Sequence, residues 1–240
     1  MSAGGYFIYA GRSSRSFGIL VDSVEGIWDS PERDTEIVEI PGRHGSLTID
    51  NGRWKNNQGT YNCGIGVDFQ SKFEEFRAFF TSNIGYKRLE DSWHPDEYRM
   101  ARPANGLTPA LVKNGLTGEF EVPLDVMPQR WLKSGEAAIS LSAGVITTLR
   151  NPTYYHAQPK MTVSGSGTIR FGSANIVVAA HSGVMVIDLA LGDAYSQSGH
   201  ANYNQYITLP DTLPTLAPGN NNIGIPSGMT ATITPRWWTL

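Results

Sequence analysis

The chain has a single cysteine, no sustained basic cluster and no apolar run long enough to cross a membrane. Each absence removes a class of protein. Cys63 alone cannot form an intramolecular disulfide, so stability must come from packing, which suits synthesis in a reducing compartment. Its neighbours Asn62 and Gly64 supply no cationic partner for a thiolate, and it reads as a small buried side chain. The 19 Lys and Arg stand against 22 Asp and Glu, a net charge of −3. The basic residues are scattered apart from Arg12/Arg15 and Lys87/Arg88. That argues against a duplex nucleic-acid binder, which needs a basic footprint to displace counterions. The longest apolar stretch, Ile176 to Leu191, is broken by His181, Ser182 and Asp188 and cannot span a bilayer. Met1-Ser2-Ala3-Gly4-Gly5 lacks a positive n-region, and Tyr6 to Ala10 is too short for the apolar part of a secretory leader.

Catalytic spacings are missing too. The histidines are His44, His94, His156, His181 and His200, and no two are spaced as a zinc pair. With one Cys, a thiolate zinc site is excluded; neither a metal nor a cofactor is expected. His94-Pro95-Asp96-Glu97 is the densest local set of titratable groups and reads as a solvated loop. Ser166 lies between glycines without the wider nucleophile-elbow motif. Gly165-Ser166-Gly167-Thr168 leads into a strand, so it is not a dinucleotide loop. The pairs Asp22/Glu25 and Glu119/Glu121 point only faintly to a glycosidase; the second pair shares one strand face, as solvated faces commonly do.

What is present is turns and short strands. The 240 residues hold 26 Gly and 14 Pro, and 40% are hydrophobic, enough for two cores. Ile37, Val38 and Ile40 among Glu36 and Glu39, Leu47 and Ile49 around Thr48, and Ile65, Val67 and Phe69 around Gly66 and Asp68 alternate as half-buried strands do. Pro41-Gly42-Arg43-His44-Gly45 and Asp50-Asn51-Gly52 are turn signals. Ser71 to Phe80 breaks the pattern: Phe73, Phe76, Phe79 and Phe80 form a helical stripe, with Ser71 as N-cap and Glu74 completing a capping box. Asn83 and Gly85 end that helix. Tyr86 to Leu89 and Tyr98 to Ala101 read as strands. Phe120, Val122, Leu124 and Val126 alternate with Glu119, Glu121, Pro123 and Asp125 in the cleanest amphipathic strand of the chain, and Pro123 marks an edge or a bulge there.

The second half is strand-rich throughout. Met161 and Val163, a Ser164 to Gly167 turn, then Ile169 and Phe171 read as a hairpin. Strands follow at Asn175 to Ala179, Val184 to Leu189, Tyr203 to Leu209 and Met229 to Thr234, the spacing of a sandwich. The expected organisation is an N-terminal domain over residues 1–135, a linker over 136–150 and a C-terminal β-sandwich over 151–240. The fold class is mainly β, with one helix in a barrel- or sandwich-like first domain. Trp28, Trp54, Trp93, Trp131, Trp237 and Trp238 are core or interface material. Trp237 and Trp238 are adjacent, so in a strand they face opposite ways and only one can be core.

Several segments, in order along the chain, resemble the distal tail proteins of long-tailed siphophages. They are Phe17-Gly18-Ile19; Glu39-Ile40-Pro41-Gly42-Arg43-His44-Gly45-Ser46-Leu47; Gly85-Tyr86 to Asp91 with Tyr98-Arg99-Met100-Ala101; Pro159 to Gly167; Leu216-Ala217-Pro218-Gly219-Asn220; and Pro235-Arg236-Trp237. The resemblance covers nearly the whole chain. It implies a homohexameric ring made by the N-terminal domain and a galectin-like C-terminal sandwich that projects outward. The implied partners are the major tail tube protein, the tail-associated hub protein and a receptor-binding or baseplate protein, and the implied location is the virion tail tip. The expected family or interface residues are Pro41, Gly42, Arg43, Gly45, Phe120, Val122, Leu124, Gly219, Arg236 and Trp237. The larger family members carry inserted carbohydrate-binding modules, for which this chain has no room. Two competing readings are a module that shows an aromatic face to host wall glycans and, with least support, a wall hydrolase.

Overall fold

The computed structural model describes residues 4–112, 116–199 and 201–240. Met1, Ser2, Ala3 and His200, named above, lie outside the described residues. The chain divides into two compact units, residues 1–130 with Leu240, and residues 131–239.

The first unit contains β1 (Phe7–Tyr9), β2 (Arg12–Ser13), β3 (Ile19–Glu25), β4 (Arg33–Glu39), β5 (Ser46–Trp54), β6 (Asn57–Ile65), α1 (Phe69–Ser82), β7 (Lys87–Asp91), β8 (Glu97–Pro103), β9 (Pro109–Val112) and the long β10 (Thr117–Leu132). Seven of the strands form one sheet in the order β2-β1-β7-β8-β10-β6-β3, and β9 pairs with the start of β10. Strand alternation puts Phe120, Val122, Leu124 and Val126 of β10 and Tyr61, Cys63 and Ile65 of β6 on one buried face. Helix α1 covers that face with Phe69, Phe73, Phe76 and Phe80, all buried. The ring of Phe76 lies 5.8 Å from that of Phe120, 5.3 Å from Phe17 and 6.2 Å from Phe7. Burying each phenylalanine contributes about 2–3 kcal/mol before chain entropy is counted. Cys63 is part of this core, and burial pushes its thiol pKa up, reinforced by the nearby Asp22 charge.

Two local expectations change. The helix begins before Ser71, because Phe69 joins the buried stripe and stacks on Phe73 at 5.3 Å. Asp68, in the left-handed region at φ 53°, occupies the cap position and makes no side-chain cap hydrogen bond. Pro123 sits inside β10, opposite Thr60 of β6. Its carbonyl accepts the amide of Ala104, just past the end of β8. In an antiparallel ladder the N–H and C=O of one residue face the same neighbour. The missing proline amide therefore falls on the side where β8 has ended.

β4 and β5 pair only with each other among the described residues. The register Val38↔Leu47 and Glu36↔Ile49 puts Glu36, Val38, Leu47 and Ile49, with Ile40 beyond the strand end, on one face. These strands were expected to be half-buried. Instead β5 is exposed along nearly its whole length, and Ile40, Leu47 and Ile49 stand open. An alternating pattern shows that a face is meant to be covered, not by what.

The second unit is a sandwich of two five-stranded sheets. Its strands are β11 (Ile139–Leu141), β12 (Ile146–Asn151), β13 (Lys160–Ser164), β14 (Gly167–Phe171), β15 (Ala174–Val178), β16 (Met185–Asp188), β17 (Asp193–Ser196), β18 (Ile207–Thr208), β19 (Gly219–Gly224) and β20 (Thr230–Thr234); the short β21 (Trp238–Thr239) lies outside both sheets and pairs with β10. The sheets run β11-β20-β13-β16-β17 and β12-β19-β14-β15-β18. Met161, Met185, Ile187 and Ile233 from one meet Ile169, Ile176, Val178 and Ile223 from the other. The stretch 136–150, expected as a linker, carries β11 and most of β12, which pair with β20 and β19. It reads as polar because its strands bury few side chains, chiefly Leu141 and Leu149. The segment expected as a hairpin is a corner instead: β13 and β14 belong to different sheets. Gly165 (φ 99°) and Gly167 (φ 144°) make the crossing, where a Cβ would lie 2.9 Å from the Gly228 carbonyl oxygen and 2.7 Å from the Pro226 ring respectively.

Candidate functional site

The β4–β5 hairpin gathers one group of the expected residues. Pro41, Gly42, Arg43 and Gly45 share its exposed turn, closed by the Arg43 amide donating to the Ile40 carbonyl at 3.1 Å. Gly42 and Gly45 have φ of 80° and 78° with open space around them, so backbone conformation explains both glycines. The hairpin base is stitched by charge. Arg33 Nε donates to Asp50 Oδ2 at 2.9 Å, Arg53 Nε to Asp34 Oδ2 at 2.6 Å, and the Arg33 guanidinium lies 5.0 Å from the Trp54 ring centroid. These pairs tie β4 to β5, and such surface pairs contribute little stability.

The other expected residues are buried or half-buried. Phe120, Val122 and Leu124 are buried under α1 and cannot reach another molecule; their alternation served the core. Trp237 is buried in the sandwich, while half-buried Trp238 stacks on Tyr155 at 4.5 Å and donates to the His156 carbonyl at 3.0 Å. Gly219 opens β19 at φ 83°. Arg236, itself at φ 59°, donates to both oxygens of buried Asp188 at 2.7 Å each. Burial pushes the Asp188 carboxyl up, and the hydrogen bonds and charge of Arg236 outweigh that and hold it below the usual range. The pair is internal to the sandwich.

The titratable loop near His94 has a structural centre that the sequence reading passed over. Asp91 accepts hydrogen bonds from Trp28 Nε1 at 2.9 Å, from the Tyr61 hydroxyl at 3.2 Å and from the amides of Trp93 and His94. A second buried carboxylate, Asp125, accepts from Asn56, Gln58, Tyr86 and Arg102 at 2.8–3.0 Å. Both carboxylates are spent on fastening loops to the sheet. On the sheet face away from α1, Asp22, Glu119 and Glu121 line an open groove of about 660 Å³. Among the described residues no group of His, Cys, Asp and Glu is arranged to hold a metal ion.

No protein-family model matches the sequence, and no curated protein does. A solved structure does. The crystal structure of the Dit protein of phage SPP1 covers 98% of this chain, with 99% of its own length matched, at a TM-score of 0.71 and 14% sequence identity. The chain has the Dit fold. The SPP1 protein is described as a paradigm of the hub of the adsorption apparatus in phages that infect Gram-positive bacteria. The Dit fold accounts for both units at once, since the match leaves almost nothing of either chain uncovered.

Residues whose exposure the alternating pattern did not give lie on the β4–β5 arm. Ile37, Ile40, Leu47 and Ile49 were expected as half-buried strand residues and stand exposed, while Val38 is half-buried. The available signal was their flanks: Pro41 to Gly45 on one side and Glu32, Asp34, Arg53 and Lys55 on the other isolate the arm from the next strand.

Proposed function

We propose that the chain is a distal tail protein of a long-tailed phage, whose first unit closes a homohexameric ring at the tail tip. In this reading the ring docks on the major tail tube protein and on the tail-associated hub protein. The second unit, galectin-like in the family it resembles, reaches outward to a receptor-binding or baseplate protein. The chain acts by assembling rather than by catalysing. The observation that carries the reading is the β4–β5 arm, a two-stranded sheet that pairs with no other strand among the described residues and leaves Ile40, Leu47 and Ile49 exposed on one face. The whole-length Dit fold supports it.

A ring needs heterologous contacts, one face of a subunit meeting a different face of the next. An arm that leaves the body between β3 and β6 supplies the donating face. Covering the exposed remainder of Ile40, Leu47 and Ile49 contributes on the order of 1 kcal/mol each, repeated at every contact around the ring. The test is the particle mass of the purified protein, by native mass spectrometry and light scattering, with negative-stain images. The expected result is an annular particle of six copies. A monomer at high concentration that stays monomeric with the tube protein present refutes the ring.

A further inference from the structure

The outer face of the sheet β12-β19-β14-β15-β18 has a composition unlike the rest of the chain. None of its five strands contains an Asp or Glu. Its outward polar residues are Thr148, Arg150, Thr168, Arg170, Asn175, Thr208, Asn220 and Asn222, all exposed, beside the exposed apolar Ile146 and Val177, in a chain of net charge −3. Register aligns them: Ile146, Gly224, Arg170 and Asn175 form one row across the sheet, Thr148 and Asn222 a second, Arg150 and Asn220 a third. The two arginines stand about 13 Å apart along the strands and about 10 Å across them. Neither is ion-paired among the described residues.

Over Gly224 the face dips into a groove of about 530 Å³. One wall is apolar, with Val145 and Ile146 both more than half exposed. The other is Thr168, Arg170 and Asn175. A Cβ at Gly224 would stand 3.5 Å from Arg170 Cβ and 3.6 Å from Ile146 Cγ1, so the missing side chain is what leaves the floor open.

We propose that this face binds an anionic, hydroxyl-rich polymer, a polyol-phosphate chain of a cell surface. Arg150 and Arg170, about 16 Å apart by these two spacings, would hold two phosphodiesters of one chain, two or three repeats apart, by charge-assisted hydrogen bonds. The asparagine amides and threonine hydroxyls would meet the polyol hydroxyls, and the methylene backbone would lie along Val145 and Ile146. Other ligands fit less well. A neutral sugar ring or a single-stranded nucleic acid wants an aromatic platform, and the only aromatic residue in these strands, Phe171, points into the core. An extended peptide gains its affinity from main-chain pairing at a sheet edge, whereas the groups here stand on the face. This inference goes beyond the ring and does not rest on it.

The test uses the full chain and immobilised synthetic poly(glycerol phosphate), with dextran and poly-glutamate surfaces alongside. Wild type is expected to bind the polyol phosphate, more weakly as salt rises, and to leave dextran unbound. The double variant Arg150→Ser/Arg170→Ser should bind about tenfold more weakly or worse, since each lost ionic hydrogen bond is of that order. Gly224→Val, which fills the groove, should weaken binding with an unchanged melting temperature, and Arg150→Lys/Arg170→Lys should retain most of it. Unchanged binding by the double serine variant, equal binding to poly-glutamate, or no binding by wild type at millimolar repeat units would each overturn the proposal.

Discussion

Replacing Arg236 by Ala should destabilise the sandwich more than any surface change elsewhere in the chain. The substitution removes two hydrogen bonds of 2.7 Å to a carboxylate that is 4% exposed, while Arg236 itself is 28% exposed. Hydrogen bonds to charged groups contribute about 1.5–3 kcal/mol each, and stranding a buried charge costs several kcal/mol; discounting for the partly exposed guanidinium leaves about 2–4 kcal/mol. For a unit of this size that corresponds to a melting temperature lower by roughly 8–16 °C. The assay is calorimetry of the full chain. Because the Asp188 carboxyl is held below its usual value in the folded protein, the pair's contribution is complete above about pH 4 and fades as pH falls through the lowered folded-state value. The gap between wild type and variant should therefore narrow toward pH 3. Asp188→Leu combined with Arg236→Met should recover much of the loss, since an apolar pair of similar volume has no desolvation cost. A variant that melts within about 2 °C of wild type at pH 7, or a gap that does not change with pH, refutes the reasoning.

Gly59→Ala should cost about 1–3 kcal/mol in urea unfolding, because the new Cβ would stand 2.6 Å from the Ile27 backbone nitrogen, which cannot swing aside. Leu47→Asp with Ile49→Asp should abolish ring assembly in light scattering while the free subunit keeps its stability within about 0.5 kcal/mol, since both side chains are exposed in the isolated chain. The thiol of Cys63, 2% exposed and with its pKa pushed up by burial, should resist a disulfide reagent at neutral pH in the native chain and react at once in denaturant.

Much of this protein was legible along the chain. The phenylalanine spacing of α1, the alternation of β10 and the turn residues around Pro41 depend on neighbours within a few positions, and local chemistry decides them. The sequence alone thus determined a mainly β chain with one helix, and the ordered segments that resemble distal tail proteins lie in the two units whose combined fold is that of SPP1 Dit. Tertiary structure decided what each patterned face meets. Alternation is the same for Phe120, which ends under a helix, and for Leu47, which ends in solvent, because a period of two residues encodes a side and not a partner. Likewise Ser164 to Gly167 could turn back along its own sheet or cross to the other; the close approach of Pro226 and Gly228, some sixty residues later, settles it as a corner. The arginine and asparagine face of the second sheet had no signature in any one strand, since five strands from distant parts of the chain must pair before their outward residues share a surface.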